Sequence, residues 1–316
     1  MAKGMLSRPV HHAQFHYGAQ ILPSGRLFKP FHGLGRILEK RKEVDQIVKD
    51  ICENNEKKQV VEENEGAFIE MSKDFGQDIG ITVCGELDEQ GFHQEYYFPY
   101  FRGTGITSDE DLVIEKHVGK ESFAGVCEDI RVGVSLIFYL QNAADYKMQA
   151  NLNKLSGQNI STTFSGLSTK GKILLPIQKS EQQIDTDKEA TKNRNHLIAA
   201  ARNGDEDAIE SLTLEDIDTY TMISRRIMQE DVFTIVDTFF MPYGMECDQY
   251  HIMGEIKTCN KVKNTLSHEE IYQMKILCNE MVFDICINEK DLLGVPEEGR
   301  RFKGVIWLQG HLNFPE

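Results

Sequence analysis

The residues best equipped for chemistry gather near the end of the chain. Asp248 opens one strand-like run, Asp284 sits inside another, and Arg300 and Arg301 lead into the run that holds Trp307, the only tryptophan. Adjacent guanidiniums in an acidic chain can grip a carboxylate or phosphate through paired N–H donors. They can equally be satisfied by Glu297, Glu298, Asp248 or Asp284 as structural ion pairs. These five residues form the candidate ligand site, and an enzyme built on Asp248, Asp284, Arg300 and Arg301 would act on a small anionic substrate.

Other patterns carry less. Gly166-Leu167-Ser168-Thr169-Lys170-Gly171-Lys172 matches the spacing of a phosphate-cradling loop. That mechanism needs a hydroxyl next and a helix start facing the phosphates. Ile173 and then Pro176 follow instead, so the string reads as a hairpin turn between strands. Gly103-Thr104-Gly105 runs into the acidic stretch Ser108–Asp111 and reads as a loop. The aromatic run Tyr96–Arg102 lacks the positive groove of a base-stacking platform and reads as a buried or ligand-lining edge strand. His93 with Glu95, and Cys247 with His251 and Cys259, do not supply the three or four converging ligands of a zinc site. No metal site and no cofactor are implied.

The elements that must position these residues follow from hydrophobic period. Leu38, Val44, Ile47, Val48 and Ile51 recur every three or four residues, which predicts an amphipathic helix over 36–54. From there the period is two. Ile79–Leu87 and Phe92–Phe101 flank the turn Asp88–Gly91 as a hairpin, with further strands at 59–62, 67–72, 132–140, 160–165 and 172–177. A polar connector at 178–195 leads into helix at 197–201, which Asn203-Gly204 stops. Asp205 caps a second helix, continued by 214–227. Beyond Asp231, alternation returns around Phe233, Ile235, Phe239, Tyr250–Ile256, Tyr272–Cys278, Met281–Ile287 and Phe302–Leu312, an antiparallel meander of about five strands. Ser267–Glu270 has a capping-box pattern that would start a helix, but the clean alternation through Cys278 predicts a strand over 268–277.

The expected fold is therefore α+β, with two antiparallel β-sheet units joined by a helical segment. Residues 1–27 form a disordered tail or upstream extension, 28–180 an N-terminal α+β unit, 181–228 a helical connector and 229–316 the C-terminal meander.

Composition works by exclusion. Among 316 residues, 35 basic and 50 acidic side chains leave a net charge of −15. Residues 1–30 hold Lys3, Arg8, Arg26 and Lys29 without an acid, so the remainder carries −19. A surface that acidic repels phosphate backbones and anionic headgroups, which argues against nucleic acid and membrane partners. The longest uncharged apolar run, Val132 to Leu140, falls well short of the roughly 20 residues of a spanning helix. Seven scattered cysteines without a C-x-x-C pair suggest reduced thiols in a cytoplasm.

Longer strings carry a resemblance. Asp237-Thr238-Phe239-Phe240-Met241-Pro242-Tyr243-Gly244-Met245-Glu246-Cys247-Asp248, Val282–Leu293 and Gly299-Arg300-Arg301-Phe302-Lys303-Gly304-Val305-Ile306-Trp307-Leu308-Gln309-Gly310 resemble an uncharacterised bacterial family of Gram-positive anaerobes, catalogued only as a domain of unknown function. Tyr97–Gly103 and Arg131–Asn142 are similar to it as well. The resemblance covers about residue 28 to the end and implies a cytoplasmic bacterial protein whose family start lies near Leu27. It brings no activity, cofactor or catalytic residue. The expected function is that of a non-catalytic binding or regulatory protein engaging a protein partner or a small-molecule ligand; the alternative is the enzyme described above.

Overall fold

A computed structural model describes residues 41–315, apart from 55–56, 64–65, 117–121, 130, 156–158, 178–180, 228–231 and 245–247. The expected tail at 1–27 lies outside the described residues.

The first helix, α1 (Arg41–Glu53), turns Val44, Val48 and Ile51 onto one face of a four-stranded antiparallel sheet. That sheet runs in sequence order, β1 (Lys57–Glu63), β2 (Gly66–Gly76), β3 (Ile79–Asp88) and β4 (Gly91–Phe101). Because side chains alternate along a strand, Ile69, Met71, Ile81 and Val83 meet the helix. Phe68, Glu70, Ser72 and Asp74 of β2 therefore point the other way.

The remaining strands form a ten-stranded sheet. It comprises β5 (Leu112–Lys116), β6 (Phe123–Cys127), β7 (Leu136–Leu140), β8 (Ser161–Leu174), β9 (Phe239–Pro242), β10 (Gln249–Lys263), β11 (Glu270–Cys278), β12 (Met281–Asn288), β13 (Leu292–Leu293) and β14 (Arg301–Asn313). Five of these close on themselves. Strand β8 pairs with β12, β12 with β11, β11 with β10, β10 with β14, and β14 returns to β8. The result is a small barrel, closed and without an edge. Its interior is filled by Ile252, Ile276, Phe283, Ile285, Phe302 and Ile306, all buried. So narrow a lumen leaves little room along the middle of β8, whose inward positions there are Gly166, Ser168 and Gly171. A Cβ on Gly171 would lie 2.4 Å from the Phe302 ring.

Several expectations change here. The sheet boundary lies between Phe101 and Leu112, not at the helical segment, because β5–β8 complete the barrel sheet that begins again at β9. The helices α3 (Glu181–Arg202) and α4 (Glu206–Ile227), packed on each other, thus leave the barrel sheet after β8 and return to it at β9. They do not join two sheet units. The architecture is mixed α+β with mainly antiparallel sheets, yet β8 runs parallel to β12 and β13, and β14 parallel to β7. The Gly166–Lys172 string lies inside β8, where its glycines serve barrel closure instead of a turn. Residues Val232–Ile235 form a helical turn, α5, in place of a strand. Strands β5 and β6 had no counterpart in the sequence reading.

Other expectations stand. Gly204 adopts φ 87° and Asp205 Oδ1 accepts from Ala208 N at 3.1 Å, ending one helix and capping the next. Residues 270–278 are strand. Helix α2 (Ala143–Asn151) follows β7 and sits over β1 and β2.

Side chains join the two sheets. Gln309 Nε2 donates to Pro99 O at 2.8 Å, and its Oε1 accepts from Phe101 N and from Gln141 Nε2. Gln141 Nε2 also donates to Phe101 O. The glutamine pair thus satisfies the free edge of β4, which would otherwise be buried with unmet backbone groups.

Candidate functional site

The inward face of the four-stranded sheet is unusually polar for a surface covered by a second layer. Register aligns Gln59 with Glu70 and Lys57 with Ser72 and Thr82. Facing them are Gln141 and Asn142 at the end of β7, Asp145 on α2, and His311 on β14. The layers do not close here, and a cleft of about 610 Å³ remains.

Glu70 forms one wall. Its Oε2 accepts from Ala144 N at 3.1 Å, so the carboxyl sits at the start of α2, where backbone N–H groups lack intrahelical partners. Burial pushes its pKa up to about 8, against the pull of the Ala144 and Ala143 amides. At neutral pH this acid keeps its proton and can donate.

Opposite it stands a fixed cation. Tyr100 Oη donates to Asp74 Oδ1, and Arg102 Nη1 reaches the same oxygen at 3.0 Å. The guanidinium lies 4.4 Å above the Tyr100 ring. Burial acts to raise the Asp74 pKa, but Tyr100, Arg102 and Lys57 together hold it below the usual carboxylate range. Tyr100 can cross the sheet this way because its neighbour on β3 is Gly80, where a Cβ would meet the phenol oxygen at 2.3 Å. Burial, assisted by Arg102 and opposed by Asp145, lowers the His311 pKa, leaving a neutral imidazole at pH 7.

Arg102 and His311 also line a second cavity of about 320 Å³, with Gly103, Ile106, Thr163 and Asn313. The two residues form the partition between the chambers. Chemically the site offers a cation held in place, a protonated carboxyl and a neutral imidazole within one cleft.

None of the five sequence-derived candidates lines either cavity. Asp248 Oδ2 accepts from Trp307 Nε1 at 2.6 Å, which brings two of the five into direct contact. Asp284 binds the amide and hydroxyl of Thr104, both at 2.7 Å. Arg300 pairs with Glu297 at 2.8 Å and donates to Val295 O. Arg301 donates to Leu175 O, Val236 O and Phe233 O, clamping α5 to the barrel. Arg300 lies in the turn before β14 and Arg301 is the first residue of that strand, and the two arginines take separate partners.

The cleft residues escaped sequence reasoning because Phe68-Ile69-Glu70-Met71-Ser72 looks like an ordinary half-exposed strand. The signal that could have found them is Asp74 and Glu70 on the face of a strand whose partner sheet must also bury that face. Tyr100 and Arg102 belong to the Tyr96–Arg102 run, most of which lies in the edge strand β4.

Among the described residues no helix is long and apolar enough to cross a membrane. Residues 33–310 match the family described as "Domain of unknown function, E. rectale Gene description (DUF3881)". No curated protein matches the chain, and no solved structure does.

Proposed function

We propose that this chain, which belongs to the family DUF3881, binds a small polar anion in the cleft between its two sheets. The family carries no assigned function. One observation supports the reading above the others: Arg102 is held by Asp74 and Tyr100 in the wall shared by two cavities, across from the Glu70 carboxyl, whose pKa burial raises. A guanidinium so oriented suits the anionic group, and Glu70 suits a hydroxyl or carbonyl on the same molecule. Calorimetric titration with a panel of small hydroxycarboxylates tests it. The wild-type chain binds at least one of them, and Arg102→Gln weakens that binding at least tenfold. Equal affinity in the two proteins refutes the assignment.

Glu70 also favours a second reading, an enzyme that turns over the same anion with Glu70 as general acid. Glu70→Gln then abolishes turnover while leaving affinity within a few fold.

A further inference from the structure

We propose that the outer face of the barrel around Lys172, Lys303 and His251 binds the phosphate of a small phosphorylated molecule, at a site separate from the cleft. The argument begins with register. Lys172 of β8 lies directly opposite Lys303 of β14. Like charges facing each other across a strand pair repel, and acids outnumber bases 50 to 35 in this chain. Ion pairing would be the easy remedy, yet among the described residues neither lysine lies within ion-pair distance of a carboxylate. Both ammoniums instead sit over the ring of Phe233, at 4.9 and 4.0 Å.

The neighbouring row adds to them. Val305 pairs with Lys170 on one side and His251 on the other, which puts both on the same outer face. Phe239 and Tyr243 flank the imidazole at 5.1 and 6.2 Å. Lys172, Lys303 and His251 are half-buried, Lys170 exposed. Burial, then Lys172, depresses the Lys303 pKa; burial, then Lys303 and Lys172, depresses that of His251. These groups therefore feel one another.

An oxyanion seated between the two ammoniums turns their repulsion into two attractions. Phosphate is the class indicated. Ammoniums act as compact point charges suited to a dianion, whereas planar carboxylates match the fork of an arginine such as Arg102. The aromatic rims at Phe239 and Tyr243 suit an aromatic or sugar group beyond the phosphate.

The test is calorimetric titration of the full chain with adenosine monophosphate and with inorganic phosphate, each against sodium chloride at matched ionic strength. The wild-type chain binds both, adenosine monophosphate more tightly. Lys172→Gln with Lys303→Gln weakens binding at least tenfold, and its melting temperature without ligand is equal to or above wild type because the facing charges are gone. The same double variant binds the hydroxycarboxylates of the cleft as wild type does, since neither lysine lines either cavity, which keeps this proposal distinct from the cleft. Failure of the wild-type chain to bind beyond the salt control overturns it, as does unchanged binding of both probes in the Lys172→Gln, Lys303→Gln double variant. Binding of a single-stranded oligonucleotide with no binding of either small probe also overturns it.

Discussion

Two inward surfaces of this molecule are both covered by a second layer, and they are built in opposite ways. The barrel interior is hydrocarbon and glycine; Ser168 is its polar exception on β8 and donates to Val305 O at 2.9 Å. The inner face of the four-stranded sheet carries Glu70, Ser72, Asp74 and Thr82. A buried polar group without a partner costs several kcal/mol, so such a face must find partners or leave space. It does both: Asp74 is surrounded by donors, and around Glu70 the layers stand apart. Packing sets the sequence of the first surface, and chemistry is free to occupy the second.

The comparison predicts its largest effect in the barrel. Phe302→Ala removes the ring that Gly171 and Gly304 are shaped around, and should cost about 3–5 kcal/mol in urea unfolding. A loss under 1 kcal/mol would mean the lumen is not the main core.

Next comes the connection between the two regions. Asp129, fully buried, accepts from Arg131 Nε at 2.8 Å and Ser108 Oγ at 2.7 Å. Burial raises its pKa, but Arg131 and Ser108 outweigh that and hold it low. Asp129→Asn leaves Arg131 without its counter-charge and should cost about 3 kcal/mol, read from the same denaturation curves. Because the folded pKa is depressed, the stability from this group is present above the unfolded carboxylate range and is lost as pH falls through the folded value.

Gln309→Ala removes the bridge to β4 and strands the Pro99 and Phe101 backbone groups, for about 1–3 kcal/mol. Amide exchange at Phe101 should accelerate first; unchanged protection there would show that the edge is satisfied otherwise.

The pH dependence of Glu70 is the most diagnostic for the cleft. The Glu70 pKa is raised in the folded state, so its contribution is full below the unfolded value of 4.5 and falls as pH rises toward about 8. Glu70→Gln cannot titrate. Its melting temperature should match wild type at pH 4 and exceed it at pH 9; parallel curves across that range would return Glu70 to an ordinary carboxylate.

Local structure was largely readable from sequence. The α1 stripe, the hairpin around Asp88–Gly91, the break at Gly204 and the strands from Tyr250 onward all rest on nearby residues, where period and turn chemistry act. Two things were not readable. The return of β5–β8 to the barrel depends on pairings across the helical segment, and no local pattern records a partner that far away. The candidate site was missed for a related reason. Arginines and a tryptophan near one another in sequence attract notice, whereas Glu70, Arg102 and His311 meet only when two sheets come together. Arg301 illustrates the difference: three carbonyls from two other segments occupy it. The net charge gave similar false comfort, since −7 over residues 229–316 conceals Lys303 aligned against Lys172 from the other side of the chain.

The seam between β8 and β14 governs how the molecule must assemble. Ser168 and Val305, bonded across that seam, are separated by 137 positions, with the helices α3, α4 and α5 and the strands β9 to β13 made in between. Until β14 pairs, β8 presents a long open edge and the barrel lumen faces water. Non-local pairing of this kind slows folding, so closure of that seam should be the late, rate-limiting event of refolding. During synthesis on the ribosome, the nascent chain would hold an unpaired strand for the time taken to make those residues.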